Sequence, residues 1–436
     1  MSGSGPVKPV NGACATAAAS IDAAVESIQQ GKAKFMIAGG VEDFSEVCSV
    51  EFSSMKATCK TADEVASGRE PSEMIRPCTS SRKGFVEGQG ASIVTLMSAS
   101  MAIEMGAPIY GIVALSNTAT DKQGRSVPAP GKGILTTANE NTGYTIPKHK
   151  LSVDYRKKQL EQQLGYLNKW LDDQITKLDI NPTTSKPNET DVAYLNRKYN
   201  LQKRSLQDLW ANEFWKHDPY ISPLRGALAV WGLNADDIGL ASFHGTSTAA
   251  NDKNESDVMN TKLKHIGRTP GHVLPVVCQK WLTGHSKAAA GGTMLNGILQ
   301  SMRSGLIPGN RNADNIDPDF KAHDYLLYLS KTIQTPGIKA ALLTSFGFGQ
   351  VGAELLIVHP DYLFAAVDRN SISDYNIKLK ERSNNSYRYW QDTLVGNHPF
   401  IQIKEEPPYT AEQEKQVLLD PLARAHYDPK TKKYCF

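Results

Sequence analysis

Short apolar runs that stop at a glycine or a reactive side chain recur along this chain, interleaved with stretches of helical spacing. KFMIAGG (34–40), IGLASF (238–243) and VLPVVC (273–278) are each six or seven residues of nearly continuous core material, the pattern of strands covered on both faces. Between them, Ile21, Ala24, Val25 and Ile28 repeat at i, i+3, i+4, i+7 over residues 15–30, which predicts a helix with one buried face. Ser222-Pro223 supplies an N-cap and first-turn pair for the helix LRGALAVWGL. Residues 286–304 carry Leu295, Ile298, Leu299 and Met302 on one face, with Gly305 beyond the end. Strands and helices in alternation place the chain in the α/β class.

The same reading adds a strand at ASIVTLM (91–97) running into a short helix, and another at PIYGIVALSNTA (108–119). IKAALLTS (338–345) and AELLIVH (353–359) bracket a glycine-rich turn and predict a hairpin. Residues 50–80 are polar and irregular, and SVPAPGKG (126–133) is a loop by its Pro and Gly content. Residues 147–217 differ in kind: Leu160, Leu164, Leu167, Leu171, Ile175 and Leu178 fall at helical spacing among polar residues, and a second helical stretch runs from Leu195 to Phe214. They read as a helical insertion laid on the body of the protein, or as a partner surface. The tail from Asp361 is polar and weakly patterned.

Hydrophobic residues are 40% and charged residues 21% of the 436, enough apolar material for a sizeable core. A net charge of +3 gives no ground for nucleic acid or an anionic membrane surface as partner, and no apolar run is long enough to span a bilayer. The first twenty residues lack the charged-then-apolar pattern of a secretory signal. Six cysteines, at 14, 48, 59, 78, 278 and 435, fit neither a paired metal motif nor a small disulfide framework, so a reducing cytoplasmic setting and no metal are expected.

Chemistry concentrates at four places. Cys14 precedes the predicted helix, where free backbone N–H groups and the helix dipole favour a thiolate; a small buried structural cysteine fits the same context. His244 follows a strand and is succeeded by Gly and hydroxyl residues (HGTST). His285 opens a small-residue helix in KWLTGHSKAAAGG, five positions after Lys280. Either histidine is also compatible with a structural role. In TSFGFGQVGAE (344–354), Gly347, Gly349 and Gly352 permit a backbone that bends closely round a ligand and offers N–H groups to an oxyanion, or a plain hairpin turn.

Together, NGACATAAASIDAAVESIQQGKAKFMIAGG, SRKGFVEGQGASIVTL, HGTSTAANDKNE, KWLTGHSKAAAGG and SFGFGQ resemble, in order, the motifs of β-ketoacyl-acyl carrier protein synthases of the thiolase superfamily. The insertion and its surroundings resemble the α subunit of fungal type I fatty acid synthases, and the resemblance covers roughly residues 5–360. It implies a thiolase-like fold, layered α-β-α-β-α: residues 1–107 as the remainder of the N-terminal half, 108–146 and 218–360 as the C-terminal half, 147–217 as a helical insertion and 361–436 as an extension. It implies Cys14 as acyl-accepting nucleophile, His244 and His285 as the pair handling malonyl decarboxylation, Lys280 as the active-site lysine, and Glu255 as the acidic residue that orders the site. Thr246 and Thr248 match hydroxyls near a phosphopantetheine arm; Phe346, Gly347 and Gly349 match substrate-binding positions. Phe348 matches a gate, its N–H joining that of Cys14 in an oxyanion hole.

No cofactor is implied for this region, the phosphopantetheine arm of an acyl carrier protein being the substrate carrier. The implied partners are an acyl or malonyl carrier domain, a synthase dimer mate and a fatty acid synthase β subunit; neither nucleic acid nor membrane is among them. In that family the nucleophile lies well inside its domain. The resemblance therefore implies a domain whose first part lies outside these 436 residues, and a chain that is inactive or poorly folded by itself. A starter-unit synthase of a polyketide pathway, and a non-catalytic piece of the synthase assembly, stand as alternatives.

Overall fold

The structure, a computed structural model, describes residues 5–121, 131–140, 147–179 and 189–401, with short pieces at 410–412, 415, 426–428 and 433–435. In chain order its first elements are α1 (Thr16–Gln29), β1 (Phe35–Glu42), α2 (Glu46–Ser54), α3 (Thr61–Ala66), β2 (Gly90–Met97), α4 (Ala99–Met105) and β3 (Ile112–Thr120). Helices α5 (Lys148–Leu151), α6 (Val153–Asp179), α7 (Glu189–Trp210) and α8 (Pro223–Val230) follow. Next are β4 (Ile238–Ser242), α9 (Ala249–His265), β5 (Leu274–Val277), α10 (Lys280–Thr283) and α11 (Ala290–Ser304). Then come β6 (Leu306–Ile307), β7 (Leu326–Tyr328), β8 (Ile333–Gln334), β9 (Ala340–Gly347), β10 (Val351–Val358), α12 (Asp361–Phe364) and α13 (Arg369–Leu394), followed by the small antiparallel pair β11 (His426–Asp428) and β12 (Lys433–Cys435).

Six strands form the central sheet in the order β3-β10-β9-β4-β5-β7. The pairs β9–β4, β4–β5 and β5–β7 are parallel, whereas β10 runs antiparallel to both β9 and β3. Strands β9 and β10 are buried along nearly their whole length, as continuous apolar runs require. A second sheet pairs β1 with β2, antiparallel. Helices α1 and α11 lie between the two sheets: Ile21 and Ile298 share one core with Ala38 of β1 and with Leu240, Leu343 and Leu355 of the large sheet. On the far face of the large sheet, Leu224 and Leu228 of α8 and Met259 and Leu263 of α9 form the other core. The result is a mixed α/β molecule with layers sheet, helix, sheet, helix.

Three expectations need correction. Residues 34–40 predict a strand covered on both faces, yet in β1–β2 only the inward face is covered: Ile37, Val41 and Ile93 are 64%, 68% and 65% exposed. Residues 50–80 are not wholly irregular, since α3 and the end of α2 fall there; they hold a fully buried Arg76–Glu64 pair at 2.7 Å that pattern reading has no means to find. The polar tail contains the 26-residue helix α13. It docks through few contacts, chiefly the Tyr375 hydroxyl donating to Ala107 O at 3.0 Å and the Arg382 guanidinium donating to Met105 O, too few for a strong apolar period. Residues 126–130 of the expected loop lie outside the described residues.

Helices α6 and α7 pack on each other, with Trp210 Nε1 donating to Gln163 Oε1 at 3.0 Å and the Tyr199 hydroxyl to Asn168 Oδ1 at 2.7 Å. Arg156 ties α6 to α8 by donating to Ala229 O at 2.9 Å. Among the described residues no helix is long and apolar enough to cross a membrane.

Candidate active site

Cys14 lies in a single 3-10 turn, Ala13–Ala15, that runs directly into α1. Among the described residues no strand precedes it, and residues 6–12 have no regular secondary structure. Ala13 takes φ +48°, a left-handed conformation that costs a side-chain-bearing residue on the order of 1–3 kcal/mol and persists where the surroundings over-determine it. The surroundings do so here. The Thr16 hydroxyl donates to Ala13 O at 2.7 Å and accepts from Gly12 N at 3.0 Å, and the Ser345 hydroxyl donates to Cys14 O at 3.2 Å.

The hairpin end approaches this turn so closely that a Cβ on Gly347 would lie 2.0 Å from Gly12 O and 3.2 Å from Ala15 N. Gly347 is therefore a close-approach glycine. Gly347→Ala is expected to separate the hairpin from the Cys14 turn and to lower the thermal midpoint of the protein by several degrees. An unchanged midpoint in a thermal melt of that variant would contradict this.

His244 sits two residues past the end of β4, and Glu255 of α9 holds it. The carboxylate accepts His244 N at 2.6 Å, Gly245 N at 2.9 Å and the Thr344 hydroxyl at 2.5 Å. Thr246 and Thr248 hydroxyls lie 3.0 Å apart, and the Thr248 hydroxyl caps α9 by accepting Asn251 N. Burial pushes the Glu255 carboxyl up to about 7 despite the donors that favour its charged form.

His285 is fixed by backbone bonds to a neighbouring segment: its N–H donates to Val86 O at 2.9 Å, and its carbonyl accepts Gly88 N at 3.0 Å. Phe85 meets the imidazole edge-on, centroids 4.9 Å apart. The two imidazoles stand 5.2 Å apart, perpendicular at 87°.

Lys280 is buried beneath them. Its ammonium donates to His244 O and to Met294 Sδ, and lies 3.3 Å from His244 Nδ1. The Ser345 hydroxyl is 3.4 Å from that same Nδ1, so Ser345 touches both Cys14 and His244. With an obligate donor at Nδ1, the neutral His244 ring carries its proton on Nε2. Burial, reinforced by the Lys280 charge, drives both imidazoles well below the usual histidine range, so both are neutral near pH 7. Burial likewise brings Lys280 down to about 8.

The thiol does not follow the helix-terminus argument. Burial pushes Cys14 up to about 12, against the pull of Lys280 and with a smaller push from Glu42, so the resting group is a thiol. The helix dipole acts on the first turn, but here desolvation of the charged form outweighs it.

The structure thus brings Cys14, His244, His285, Lys280 and Glu255 together with the hairpin end. Phe346 is buried, 6.0 Å edge-on from His244 and packed with Ile134 and Val258; it backs the histidine. Phe348 is partly exposed and meets Phe52 at 5.3 Å, with Gly349 exposed beside it at φ +86°. Sequence reading missed Ser345, Thr344, Phe85 and Phe52. Ser345 and Thr344 had a signal, being hydroxyl residues in an apolar strand just before the glycine turn. Among the described residues no group of three or more His, Cys, Asp or Glu side chains is placed to hold a metal.

Residues 2–102 match the family described as "Beta-ketoacyl synthase, N-terminal domain" and residues 220–314 match "Beta-ketoacyl synthase, C-terminal domain". The chain is 49% identical, over 99% of its length, to the fatty acid synthase subunit alpha of Lachancea kluyveri, and 50% identical, over 98%, to that of Schizosaccharomyces pombe. It covers 23% and 24% of those proteins, so it spans about a quarter of the length of the curated relatives it matches. Among solved structures it is similar in fold to the noncanonical ketosynthase FabY from P. aeruginosa, with a TM-score of 0.60 and 20% identity over 89% of this chain and 49% of that one. With both β-ketoacyl synthase domain matches in order along it, the chain is similar, over nearly its whole length, to the corresponding part of fungal fatty acid synthase α subunits.

Proposed function

We propose that this chain carries out the decarboxylative condensation of fatty acid synthesis. An acyl chain passes from a carrier thioester to Cys14, and the carbanion from a malonyl thioester then attacks it. The observation that carries the reading is the convergence of two neutral, perpendicular imidazoles on the turn that holds a buried thiol, with Ser345 bonded to both sides. His285 Nδ1 has no partner among the described residues, so its tautomer is not locked and the neutral ring can turn an N–H towards the enolate. In the first half-reaction the Cys14 sulfur bonds to the acyl carbon, the bond from that carbon to the carrier sulfur breaks, and the thiol proton ends on the departing carrier sulfur. In the second, malonyl thioester releases carbon dioxide, and the enolate oxygen accepts from Nε2–H of His244 and from His285. The carbanion then attacks the Cys14 acyl carbonyl, whose oxygen is held by the N–H groups of Cys14 and Phe348, and the Cys14 sulfur leaves. Thr246 and Thr248 are read as contacts for the phosphopantetheine arm and Phe348 as the gate.

The similarity to α subunits supports an acyl carrier domain as substrate donor, a synthase dimer mate and a β subunit as partners, in the cytoplasm. The test is to supply acyl- and malonyl-loaded carrier to the full-length protein and follow the product by mass. A 3-oxoacyl product two carbons longer, with one carbon dioxide per turnover, is expected. Hydrolysis of the acyl thioester without chain extension would contradict the proposal.

A further inference from the structure

Three separate stretches of chain meet at one ammonium beside His285. The Lys287 Nζ lies 2.9 Å from Glu87 Oε1 and 3.5 Å from Glu42 Oε1, with the lysine side chain 5% exposed. Glu42 ends β1, and its other oxygen accepts Ala288 N at 3.2 Å. Glu87 forms an isolated bridge with His285 itself, between the two backbone bonds that fix that residue. The ammonium also stands 5.5 Å from the centroid of the Phe52 ring, which packs edge-on against Phe85 at 5.6 Å and Phe348 at 5.3 Å. Lys287 takes φ +43°, a conformation glycine adopts freely and a side chain resists. A long charged side chain occupies a position where the backbone alone would prefer none.

We infer that Lys287 is a positioning residue for His285: its ammonium clamps the end of β1 and the 85–88 segment on either side of the imidazole and so aims the ring at the enolate. Without it, Glu42 and Glu87 face each other as unpaired like charges, and the segment that bonds the His285 backbone is pushed outward. The effect falls on one half-reaction. Lys287 pairs with Glu87, which is bridged to His285, whereas the Cys14 turn is held by other groups, the hydroxyls of Thr16 and Ser345. The inference rests on the condensing reading above.

The test uses the full-length protein with Lys287→Gly, which suits the left-handed backbone, and with Lys287→Arg. Acyl transfer to Cys14 and malonyl decarboxylation are measured separately. A ring misplaced by about 1 Å costs up to roughly 100-fold, so Lys287→Gly is expected to lower decarboxylation about 10- to 100-fold while acyl transfer stays within about threefold. Lys287→Arg, which keeps the charge, recovers most of the loss. Parallel loss of both half-reactions, decarboxylation unchanged in Lys287→Gly, or an arginine variant no better than the glycine one overturns the inference. A parent protein that performs neither half-reaction instead removes the condensing reading itself, a result distinct from these.

Discussion

Cys14→Ala protein is expected to condense nothing while continuing to decarboxylate malonyl thioester. The two activities separate because they use different atoms of one site. Condensation needs a sulfur to carry the acyl group, and the other hydroxyl or thiol at that turn, Thr16, is tied to Gly12 N and Ala13 O. Decarboxylation needs hydrogen-bond donors for an enolate, and the rings of His244 and His285 keep their 5.2 Å spacing when the sulfur is removed. The substitution is small at a buried position, 3% exposed, whose neighbour is already alanine, so α1 and its turn are retained. His285→Ala differs: it removes a donor from the enolate, for which a loss of the order of 100- to 1000-fold is typical, and it impairs decarboxylation together with the condensation that depends on it. If the Cys14→Ala protein extends acyl chains, or if His285→Ala decarboxylates like the parent, the roles given to these residues are wrong.

Lys280→Met is expected to destroy activity without destabilising the protein. Lys280 is buried, and among the described residues no carboxylate pairs with it; its acceptors are a carbonyl, an imidazole nitrogen and a thioether. An ammonium in that setting opposes folding, and an unbranched apolar side chain of similar volume relieves the cost. The same change takes away the donor that holds the His244 proton on Nε2, so decarboxylation is expected to fall about 100-fold or more, by analogy with loss of an oxyanion donor.

The pH dependence follows from the lowered Lys280 value. Between about 8 and the usual 10.5, the unfolded chain holds a proton at this lysine that the folded chain has released. Parental stability therefore rises with pH across that window, by linkage, and is penalised below it. The stability advantage of Lys280→Met is accordingly greatest below pH 8 and shrinks towards pH 10.5. Thermal midpoints of parent and variant from pH 7 to pH 10 check this; a variant less stable than the parent at pH 7 contradicts it.

The parts of the fold legible in the sequence are those whose burial is complete. β4, β5, β9 and β10 are covered on both faces, so their apolar runs read directly, and the helices flanking the large sheet bury one full face each. α13 was illegible because a single buried residue, Tyr375, with a few polar anchors holds it, leaving no stripe to see. The half-open β1–β2 sheet misled for the reverse reason: Ile37, Val41 and Ile93 look like core and are exposed.

At the site, residues at strand ends could be nominated because glycine and small neighbours mark places where backbone and substrate approach. Their supports could not. Ser345 bonds a residue 331 positions away, and the Lys287 clamp joins residues 200 and about 245 positions apart. Such contacts depend on the folded topology and leave no local spacing. The thiol's ionisation was misjudged for a related reason: a helix start is visible in sequence, whereas the burial that outweighs it is not.

The central claim is that one sulfur carries the growing chain between two half-reactions. The most direct measurement is to load the full-length protein with an acyl thioester, digest it, and identify the acylated peptide by mass before and after malonyl carrier is added. The account predicts a single acyl group on Cys14 that disappears on malonyl addition as the 3-oxoacyl product forms. An acyl group on another residue, or one on Cys14 that malonyl carrier leaves in place, would contradict it.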